Sequence, residues 1–328
     1  MAWWTSATWR AEATAWIVAS LTEHGIQVTG PIEQPRVRFW GTALTVPTDA
    51  GLMWFKENHP NQGFEAALVE RLAGIAPDRV LPLLAIERIR GWMLTPDQGP
   101  TLARHEGDRG EHRLRVVQEF AALQRGLSAQ REVLLETGLS VLDPLDAPDR
   151  FSARIEDLAA LPARHPFALG PEGAAAARSR IPVVQRASAV LAESGIPLSL
   201  EHNDLHDNNA FLPPRDGAPL RFFDFGDSLW AHPFVSLFVP MGQVLEEDDP
   251  TDPRDARQGT ALIESYLDVW DDLAPRAALR RAVDAALILG HLHRVESWWR
   301  IAQGTPEQQL DPFRGVADFL LLDRFPER

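Results

Sequence analysis

The sequence contains no cysteine among its 328 residues. Disulfide bonds, thiolate metal sites and cysteine nucleophiles are therefore excluded. It also lacks long apolar runs, since stretches such as residues 285–289 are far too short to cross a bilayer, and we expect no membrane partner. The first ten residues lack the ordered basic start, apolar run and cleavage site of a signal peptide, so we expect a cytoplasmic protein.

Positive charge is also scarce. Lys and Arg number 32 against 46 Asp and Glu, and the formal net charge is −14. A surface that binds nucleic acid needs clustered Lys and Arg, so this charge argues against a nucleic-acid partner. It is consistent with a cationic small-molecule substrate. Hydrophobic residues make up 45% and charged residues 24%, which is typical of a globular chain with one large domain or two smaller ones.

The first part of the sequence predicts a helix followed by a small β-rich region. The predicted elements are a helix at 8–24, a strand at 37–46 interrupted near Gly41, a strand at 51–56, a helix at 64–73, and strands at 80–89 and 91–95. After residue 96 the pattern becomes mostly helical. We therefore predict two domains, residues 1–96 and residues 97–328.

The second region has four long segments with helical periodicity, at residues 113–137, 174–194, 256–273 and 277–303. Pro182 predicts a break or kink in the second of these segments, because proline removes a backbone donor and clashes with the preceding turn. A short β-rich stretch at 198–225 interrupts the helices. This stretch contains the most informative residues of the chain.

A loop of polar side chains lies within that stretch, with the sequence His-Asn-Asp-Leu-His-Asp-Asn-Asn at 202–209. Fifteen residues after Asn209, an apolar strand ends in Phe-Asp-Phe-Gly-Asp, which places Asp224 at a strand end. Phosphoryl transfer needs a carboxylate beside the attacking hydroxyl and oxygen ligands for Mg²⁺ on the phosphates. An Asp and an Asn five residues apart, followed by Asp-Phe-Gly, supply these groups in protein kinases.

These motifs resemble those of the aminoglycoside phosphotransferase and choline kinase superfamily. Its usual loop is H-G-D-L-H-x-x-N, followed by a strand ending in I-D-[WF]-[GE]-[DE]-[AS]. The resemblance implies an α+β, bilobal protein-kinase-like fold with a small β-rich lobe and a larger helical lobe. It also implies that Asp204 is the catalytic base and that Asn209 and Asp224 bind Mg²⁺.

The resemblance extends over nearly the whole chain and is weakest before Arg36 and after about Ala302. It implies a phosphate-binding lysine, a glutamate that pairs with it, a nucleotide-binding loop and a linker that meets the base of ATP or GTP. The corresponding residues are Lys56, Glu65, Gly41 with Thr42, and Thr95 with Asp97. The implied acceptor is a hydroxyl of a small molecule, such as a sugar, amino sugar, aminoglycoside or amino alcohol.

Two positions depart from the family pattern. Asn203 replaces the small glycine that usually precedes the catalytic aspartate. The nucleotide-binding loop has a single glycine, Gly41, so its contacts must come from few backbone amides and from the Thr42 hydroxyl.

Alternative interpretations remain open for several residues. His202, Asp204 and His206 could be metal ligands of a metallohydrolase, although Lys56 and Asp224 would then have no role. Glu70 competes with Glu65 as the partner of Lys56. A nucleotide-binding regulatory module without turnover is the alternative to an enzyme.

Three further features have two interpretations each. Asp227 could assist the metal or cap a turn. The acidic run at 246–249 could attract a cationic acceptor or form a solvated loop. The predicted helix from residue 277 carries polar and aromatic residues that could line the acceptor site or belong to the core: His291, His293, Arg294, Glu296, Trp298 and Trp299.

Overall fold

The computed structural model describes residues 3–213, 215, 217–248, 251–254, 256–325 and 327. Its α-helices are α1 (Ala7–Glu23), α2 (Glu65–Ile75), α3 (Arg109–Leu127), α4 (Arg131–Leu135), α5 (Ala147–Ala159), α6 (Pro171–Ser179), α7 (Ile181–Ala192), α8 (Phe238–Asp248), α9 (Arg257–Leu267), α10 (Arg276–Ala302) and α11 (Glu307–Leu310). Its strands are β1 (Glu33–Arg38), β2 (Gly41–Thr48), β3 (Gly51–Asn58), β4 (Ala85–Glu87), β5 (Trp92–Pro96), β6 (Val141–Leu142), β7 (Ser199–Glu201), β8 (Ala210–Phe211), β9 (Arg221–Phe222) and β10 (Leu229–Ala231). Within the described residues, no helix combines the length and apolar character needed to cross a membrane.

The chain forms two compact units. The first consists of Met1–Thr101 and Phe211–Gly226, and the second of Leu102–Ala210 and Asp227–Arg328. The boundary predicted at residue 96 therefore differs from the structure in one important respect, because 211–226 belongs to the first unit. The reason is local pairing: the Phe222 N–H donates to the carbonyl of Arg79 at 2.8 Å, and Val80 forms a parallel bridge with Phe222.

The first unit contains an antiparallel five-stranded sheet with strand order β1-β2-β3-β5-β4. Helix α1 begins at Ser6, whose hydroxyl accepts a hydrogen bond from the Trp9 N–H, as an N-cap does. It ends near Gly25, which adopts the left-handed conformation expected of a helix C-terminus. Its buried face packs against apolar residues of the sheet such as Leu44 and Phe55, so this helix and the sheet share one core.

Two predictions for this sheet were wrong in detail. The strand predicted at 37–46 is a hairpin of β1 and β2, in which Arg38 pairs with Gly41 and the turn lies at Phe39 and Trp40. Aromatic residues favour strands, so the turn carried no recognisable signal. The strand predicted at 80–89 is reduced to β4, since residues 80–84 make only isolated bridges or turns.

The second unit is mainly helical and includes a small sheet of order β6-β10-β7. Long helix α10 packs against α7, α9 and the 3-10 turn Pro233–Leu237. The predicted helix at 174–194 is divided into α6 and α7, with Pro182 in the first turn of α7, as the proline suggested. The predicted helix at 113–137 is likewise divided into α3 and α4. Strand β7 leads directly into the polar loop.

Candidate active site

The polar loop follows a fully buried strand. All three residues of β7 are buried, and Leu200 pairs with Trp230 of β10. After Glu201 the chain leaves the sheet and forms a 3-10 turn at Asp207–Asn209, where the His206 ring nitrogen Nδ1 accepts from the Asn208 N–H at 3.2 Å. The loop is therefore fixed at one end by the sheet and at the other by a capped turn.

Asn203 adopts a left-handed backbone conformation with φ of 59°. Glycine adopts this conformation without strain, and Asn is among the few other residues that tolerate it. The replacement of the usual glycine by Asn203 therefore preserves the backbone path into Asp204. The Asn203 side chain also donates from Nδ2 to the His293 carbonyl at 2.9 Å, which a glycine could not do.

The Asp204 carboxylate is half-buried and contacts polar groups on both oxygens. Oδ1 lies 3.3 Å from Nη1 of Arg294, and Oδ2 lies 3.4 Å from Nε2 of His206. Burial raises the pKa of this carboxyl, but the charge of Arg294 and the hydrogen bond from His206 outweigh burial and hold the pKa well below its usual range. Asp204 is therefore an ionised carboxylate, suited to accepting a hydrogen bond from a hydroxyl.

Asn209 is fixed next to Asp204. Its Nδ2 donates to the Asp204 backbone carbonyl at 2.9 Å and lies 3.4 Å from Asp204 Oδ2. Because the amide nitrogen of Asn209 is directed to Asp204, its amide oxygen faces the other way, where it can act as a hard ligand for a metal ion. Amide and carboxylate oxygens are the ligands that Mg²⁺ prefers, so Asn209 fits the metal-binding role that its position in the loop implied.

The metallohydrolase interpretation is not supported by this arrangement. His202 is fully buried, with its ring 5.6 Å from that of Phe120 in an edge-to-face contact. No group of three or more His, Asp or Glu side chains among the described residues is placed to hold a metal ion. His206 instead hydrogen-bonds within the loop, to the Asn208 N–H.

In the first unit, Lys56 near the end of β3 forms ion pairs with two carboxylates. Its Nζ lies 2.8 Å from Oε2 of Glu65, at the start of α2, and 2.6 Å from Oδ1 of Asp224. Glu70 instead pairs with Arg88 on the surface, so the structure assigns Glu65 as the lysine partner. Lys56 is also the only lysine in the chain.

Glu65 holds further groups besides Lys56. It is buried, accepts the Phe225 N–H at 2.7 Å and also accepts a hydrogen bond from the Asn58 amide. Burial raises the pKa of Glu65, and Lys56 opposes that effect without cancelling it. Burial lowers the pKa of Lys56, but Asp224 and Glu65 outweigh burial, so the pKa of Lys56 is raised and the ammonium stays charged.

Asp224 has a left-handed backbone, with φ of 65°. A non-glycine residue in this region is uncommon and costs conformational energy, and such strain is found mostly at functional sites. The Phe225 N–H bond to Glu65 fixes the peptide that follows Asp224. The strained conformation therefore aims the Asp224 carboxylate at Lys56.

A cavity adjoins this cluster within the first unit. Apolar side chains form most of its wall, and the charged cluster lies at one side. Its lining residues are Lys56, Glu65, Val69, Leu81, Met93, Thr95, Phe222, Phe223 and Asp224. An apolar cavity beside a half-buried cation is suited to a planar ring that carries an anionic group.

The residues predicted for the nucleotide loop and linker lie in different surroundings. Thr42 is buried, and its hydroxyl donates to the Arg36 carbonyl and accepts from Gln34 within the β1–β2 hairpin. The structure therefore engages this hydroxyl inside the hairpin, which differs from the predicted contact with a nucleotide. Gly41 pairs with Arg38 beside the turn of this hairpin, and a Cβ there would meet the Glu57 carbonyl at 3.1 Å.

The two linker residues differ from each other. Thr95 lines the cavity. Asp97 is exposed, and its carboxylate accepts from Nε1 of Trp54 at 2.7 Å and from the Gly99 N–H at 3.1 Å. Asp97 therefore shapes the linker through these contacts.

No protein-family model matches the sequence, and no curated protein matches it. Solved structures are similar to it over most of its length. A macrolide 2′-phosphotransferase from Brachybacterium faecium is 16% identical, with 95% of this chain and 99% of that chain covered and a TM-score of 0.58. The choline kinase from Cryptosporidium parvum is 11% identical, with 95% and 94% covered and a TM-score of 0.62. A choline/ethanolamine kinase family protein from Mesorhizobium loti is 18% identical, with 95% and 92% covered and a TM-score of 0.57.

The predicted fold is confirmed. At these identities the similarity establishes the α+β fold that the loop motif implied.

The polar and aromatic residues of α10 divide between the core and the loop. His291 and His293 are buried, and His293 pairs with Glu201. Trp298 lies against Phe313, with ring centroids 4.4 Å apart. Of the remaining three, Glu296 and Trp299 both contact Arg154, and Arg294 contacts the polar loop at Asn203 and Asp204.

The acidic run is part of a helix and its end. Glu246 pairs with Arg324, and Glu247 pairs with Arg113, both on α8. Asp249 lies outside the described residues. Of the acidic side chains in this run that the structure describes, Glu246 and Glu247 both form ion pairs.

Sequence reasoning missed two groups that complete the site. Asn58 supports Glu65, and Ser297 donates from Oγ to Asp227 at 2.6 Å, which gives Asp227 a partner on α10. Neither has a motif, and Ser297 is 70 residues from Asp227 in sequence. One signal was available and unused: a single lysine in a chain that otherwise uses arginine marks a position where an ammonium is specifically required.

Proposed function

We propose that this protein is a phosphotransferase that moves the γ-phosphoryl group of ATP or GTP to a hydroxyl of a small molecule. The observation that carries the proposal is the cluster in which the only lysine of the chain contacts both Glu65 and the strained Asp224. A half-buried ammonium held between two carboxylates is a compact point charge with fixed direction, which suits a phosphate group. The small-molecule kinase fold supports the same conclusion.

In this proposal, the nucleotide phosphates contact Lys56, and Glu65 keeps its ammonium in place. Asn209 and Asp224 would hold Mg²⁺, which when bound offsets the negative charge of the phosphates. Thr95 and the apolar residues of the cavity, such as Met93 and Val69, provide a surface for the base.

Asp204 accepts a hydrogen bond from the acceptor hydroxyl and directs its oxygen at the γ-phosphorus. A bond forms between that oxygen and phosphorus as the bond from phosphorus to the β,γ-bridging oxygen breaks. The hydroxyl proton leaves through Asp204. Because the pKa of Asp204 is so low, orientation is its main contribution, and proton transfer comes late, when the hydroxyl has become acidic.

The test is nucleoside diphosphate formation with ATP or GTP, Mg²⁺ and a panel of acceptors. The panel contains choline, ethanolamine, homoserine, neutral and amino sugars, an aminoglycoside and a macrolide. We expect turnover with one class of acceptor. Glu65→Gln should lower this turnover, because it weakens the hold on Lys56, whereas the matched variant Glu70→Gln on the same helix should not.

Two results would contradict the proposal. Binding of Mg-nucleotide without turnover on any member of the panel would favour a regulatory nucleotide-binding module. Equal effects of Glu65→Gln and Glu70→Gln would show that the Lys56 cluster has no part in the reaction.

A further inference from the structure

Three side chains of helix α10, His293, Arg294 and Ser297, contact the polar loop, the strand before it or Asp227. Ser297 is four residues after His293 and three after Arg294, so it neighbours both on the helix surface. His293 Nδ1 lies 2.5 Å from Oε2 of Glu201, the last residue of β7. The first contact thus fixes α10 to the strand that carries the loop.

Arg294 makes the central contact. Its Nη1 donates to the backbone carbonyl of Asn203 and lies 3.3 Å from Oδ1 of Asp204 and 3.9 Å from Oδ2 of Asp227. One guanidinium nitrogen therefore reaches the peptide preceding the catalytic carboxylate and the carboxylate itself. Only 12% of the Arg294 side chain is exposed.

The surrounding bonds close this arrangement into a network. Asn203 Nδ2 donates to the His293 carbonyl at 2.9 Å, so helix and loop exchange hydrogen bonds in both directions. Asp227, the second carboxylate near Arg294, accepts from Ser297 Oγ at 2.6 Å. Asp227 is therefore held by two residues of α10, which gives it a supporting role next to Arg294.

We infer that Arg294 is a positioning residue that holds the Asp204 carboxylate and the backbone before it in the orientation needed for phosphoryl transfer. The inference rests on the proposed function. An aspartate on a loop with a left-handed residue before it would otherwise rotate about its side-chain torsions. A donor that bridges its carboxylate to the preceding carbonyl removes that freedom, and misplacing a reacting group by about 1 Å can cost 10²-fold in rate.

A purely structural arginine would have a different pattern of effects. Helix α10 spans Arg276–Ala302, and fifteen buried residues hold it in the core, so the helix does not depend on Arg294 for its own stability. Loss of the guanidinium should loosen the loop while leaving the helix and the global stability close to those of the wild type.

The test compares Arg294→Ala and Arg294→Lys with Arg281→Ala, a matched change at an exposed arginine of the same helix. Two measurements are made. Amide hydrogen exchange by mass spectrometry follows the segment 201–210 without any ligand. Steady-state kinetics with Mg-ATP follow turnover on the best acceptor of the panel, and on water if no acceptor is found.

For Arg294→Ala we expect exchange in 201–210 to rise about 10-fold or more, while exchange in α10 is unchanged. The kcat should fall about 10- to 100-fold, with little change in the KM for ATP. Arg294→Lys should recover part of the loss because it restores a donor without the planar fork. Millimolar guanidinium, far below denaturing concentrations, should partly restore turnover in Arg294→Ala. Arg281→Ala should match the wild type in both measurements.

Three outcomes would overturn the inference. Unchanged exchange in 201–210 with lost turnover would make Arg294 a direct participant in the chemistry. Raised exchange with normal turnover would show that positioning by Arg294 is not needed. An equal rise in hydrogen exchange throughout α10 would make Arg294 a structural residue of the helix. Absence of turnover in the wild type would count against the proposed function alone, because hydrogen exchange would still decide whether Arg294 holds the loop.

Discussion

At the residue scale, three non-glycine residues among those described have a left-handed backbone: Asn203, Asp224 and Leu322. Asn203 precedes Asp204, the proposed catalytic carboxylate, and Asp224 is the strand-end carboxylate next to Lys56. Each is held by a specific bond, from Asn203 to His293 and from the Phe225 N–H to Glu65. Two of the three left-handed positions therefore lie where side chains must be aimed.

Asn203 offers a test of this account that needs no substrate. Asn203→Gly keeps the left-handed conformation and loses one hydrogen bond, so it should destabilise the fold by about 1 kcal/mol. Asn203→Ala loses the bond and also pays about 1–2 kcal/mol for the conformation. Urea unfolding at neutral pH would measure the free energy of unfolding of both variants and of the wild type. Equal stability of the Gly and Ala variants would show that the conformation carries no strain.

Asp204→Asn tests the proposed role of the catalytic carboxylate. The change keeps the size of the side chain but removes its charge and its ability to take a proton, so kcat should fall by about 10²–10⁴-fold. Nucleotide affinity should change little, because Lys56 and Asp224 are untouched. Calorimetric titration with Mg-ATP and turnover on the acceptor give the two values. Lost nucleotide binding with intact turnover would contradict the assignment.

At the element scale, helix α1 is attached to the sheet by a buried carboxylate. Glu57 of β3 accepts indole N–H groups from Trp9 of α1 at 2.6 Å and from Trp92 of β5 at 2.7 Å. Burial raises the pKa of Glu57, and the indole donors only partly offset it. The first unit therefore carries a glutamate that is held by hydrogen bonds and yet costs free energy to ionise.

The raised pKa of Glu57 sets the sign of a pH effect. Folding favours the protonated form, so the contribution of Glu57 to stability is fully present below the ordinary glutamate pKa of about 4.3 and is lost as the pH rises through the folded pKa. Glu57→Gln keeps an acceptor for the indoles without the charge. Its stability relative to the wild type should therefore increase as the pH rises above about 4.3.

Urea unfolding of the wild type and Glu57→Gln across this pH range would measure the difference, with Glu23→Gln at an exposed position of α1 as the control. A stability difference that is independent of pH would show that Glu57 has no raised pKa.

Helices with marked periodicity could be predicted from the sequence, and short or irregular elements could not. Helix α1 and helix α10 were placed within one or two residues, because their apolar positions repeat at helical spacing. The β1–β2 hairpin was missed because its turn is made by Phe39 and Trp40, which are strand-forming residues. Helices α5 and α8 were also missed, although Pro148 in the first turn of α5 is a typical helix start.

At the scale of the whole molecule, the site residues with motifs were accessible from sequence and their supports were not. The Asp204 loop and Asp224 carry a recognisable pattern, and Lys56 and Glu65 followed from their place in the element order. Arg294 acts on the loop from 91 residues away, and no local pattern records that contact. The segment 211–226 was assigned to the wrong side of the domain boundary, because a chain that returns to its first unit leaves no compositional trace.

The central claim is that nucleotide phosphates bind at Lys56. Because Lys56 is the only lysine, an ATP analogue with an acyl phosphate, which acylates an amine near the bound phosphates, can modify only this residue and the chain's amino terminus. Intact-mass and peptide analysis should show one adduct on Lys56, which Mg-ATP prevents and Lys56→Arg eliminates. An adduct confined to the amino terminus, or one on Lys56 that excess Mg-ATP does not reduce, would contradict the account.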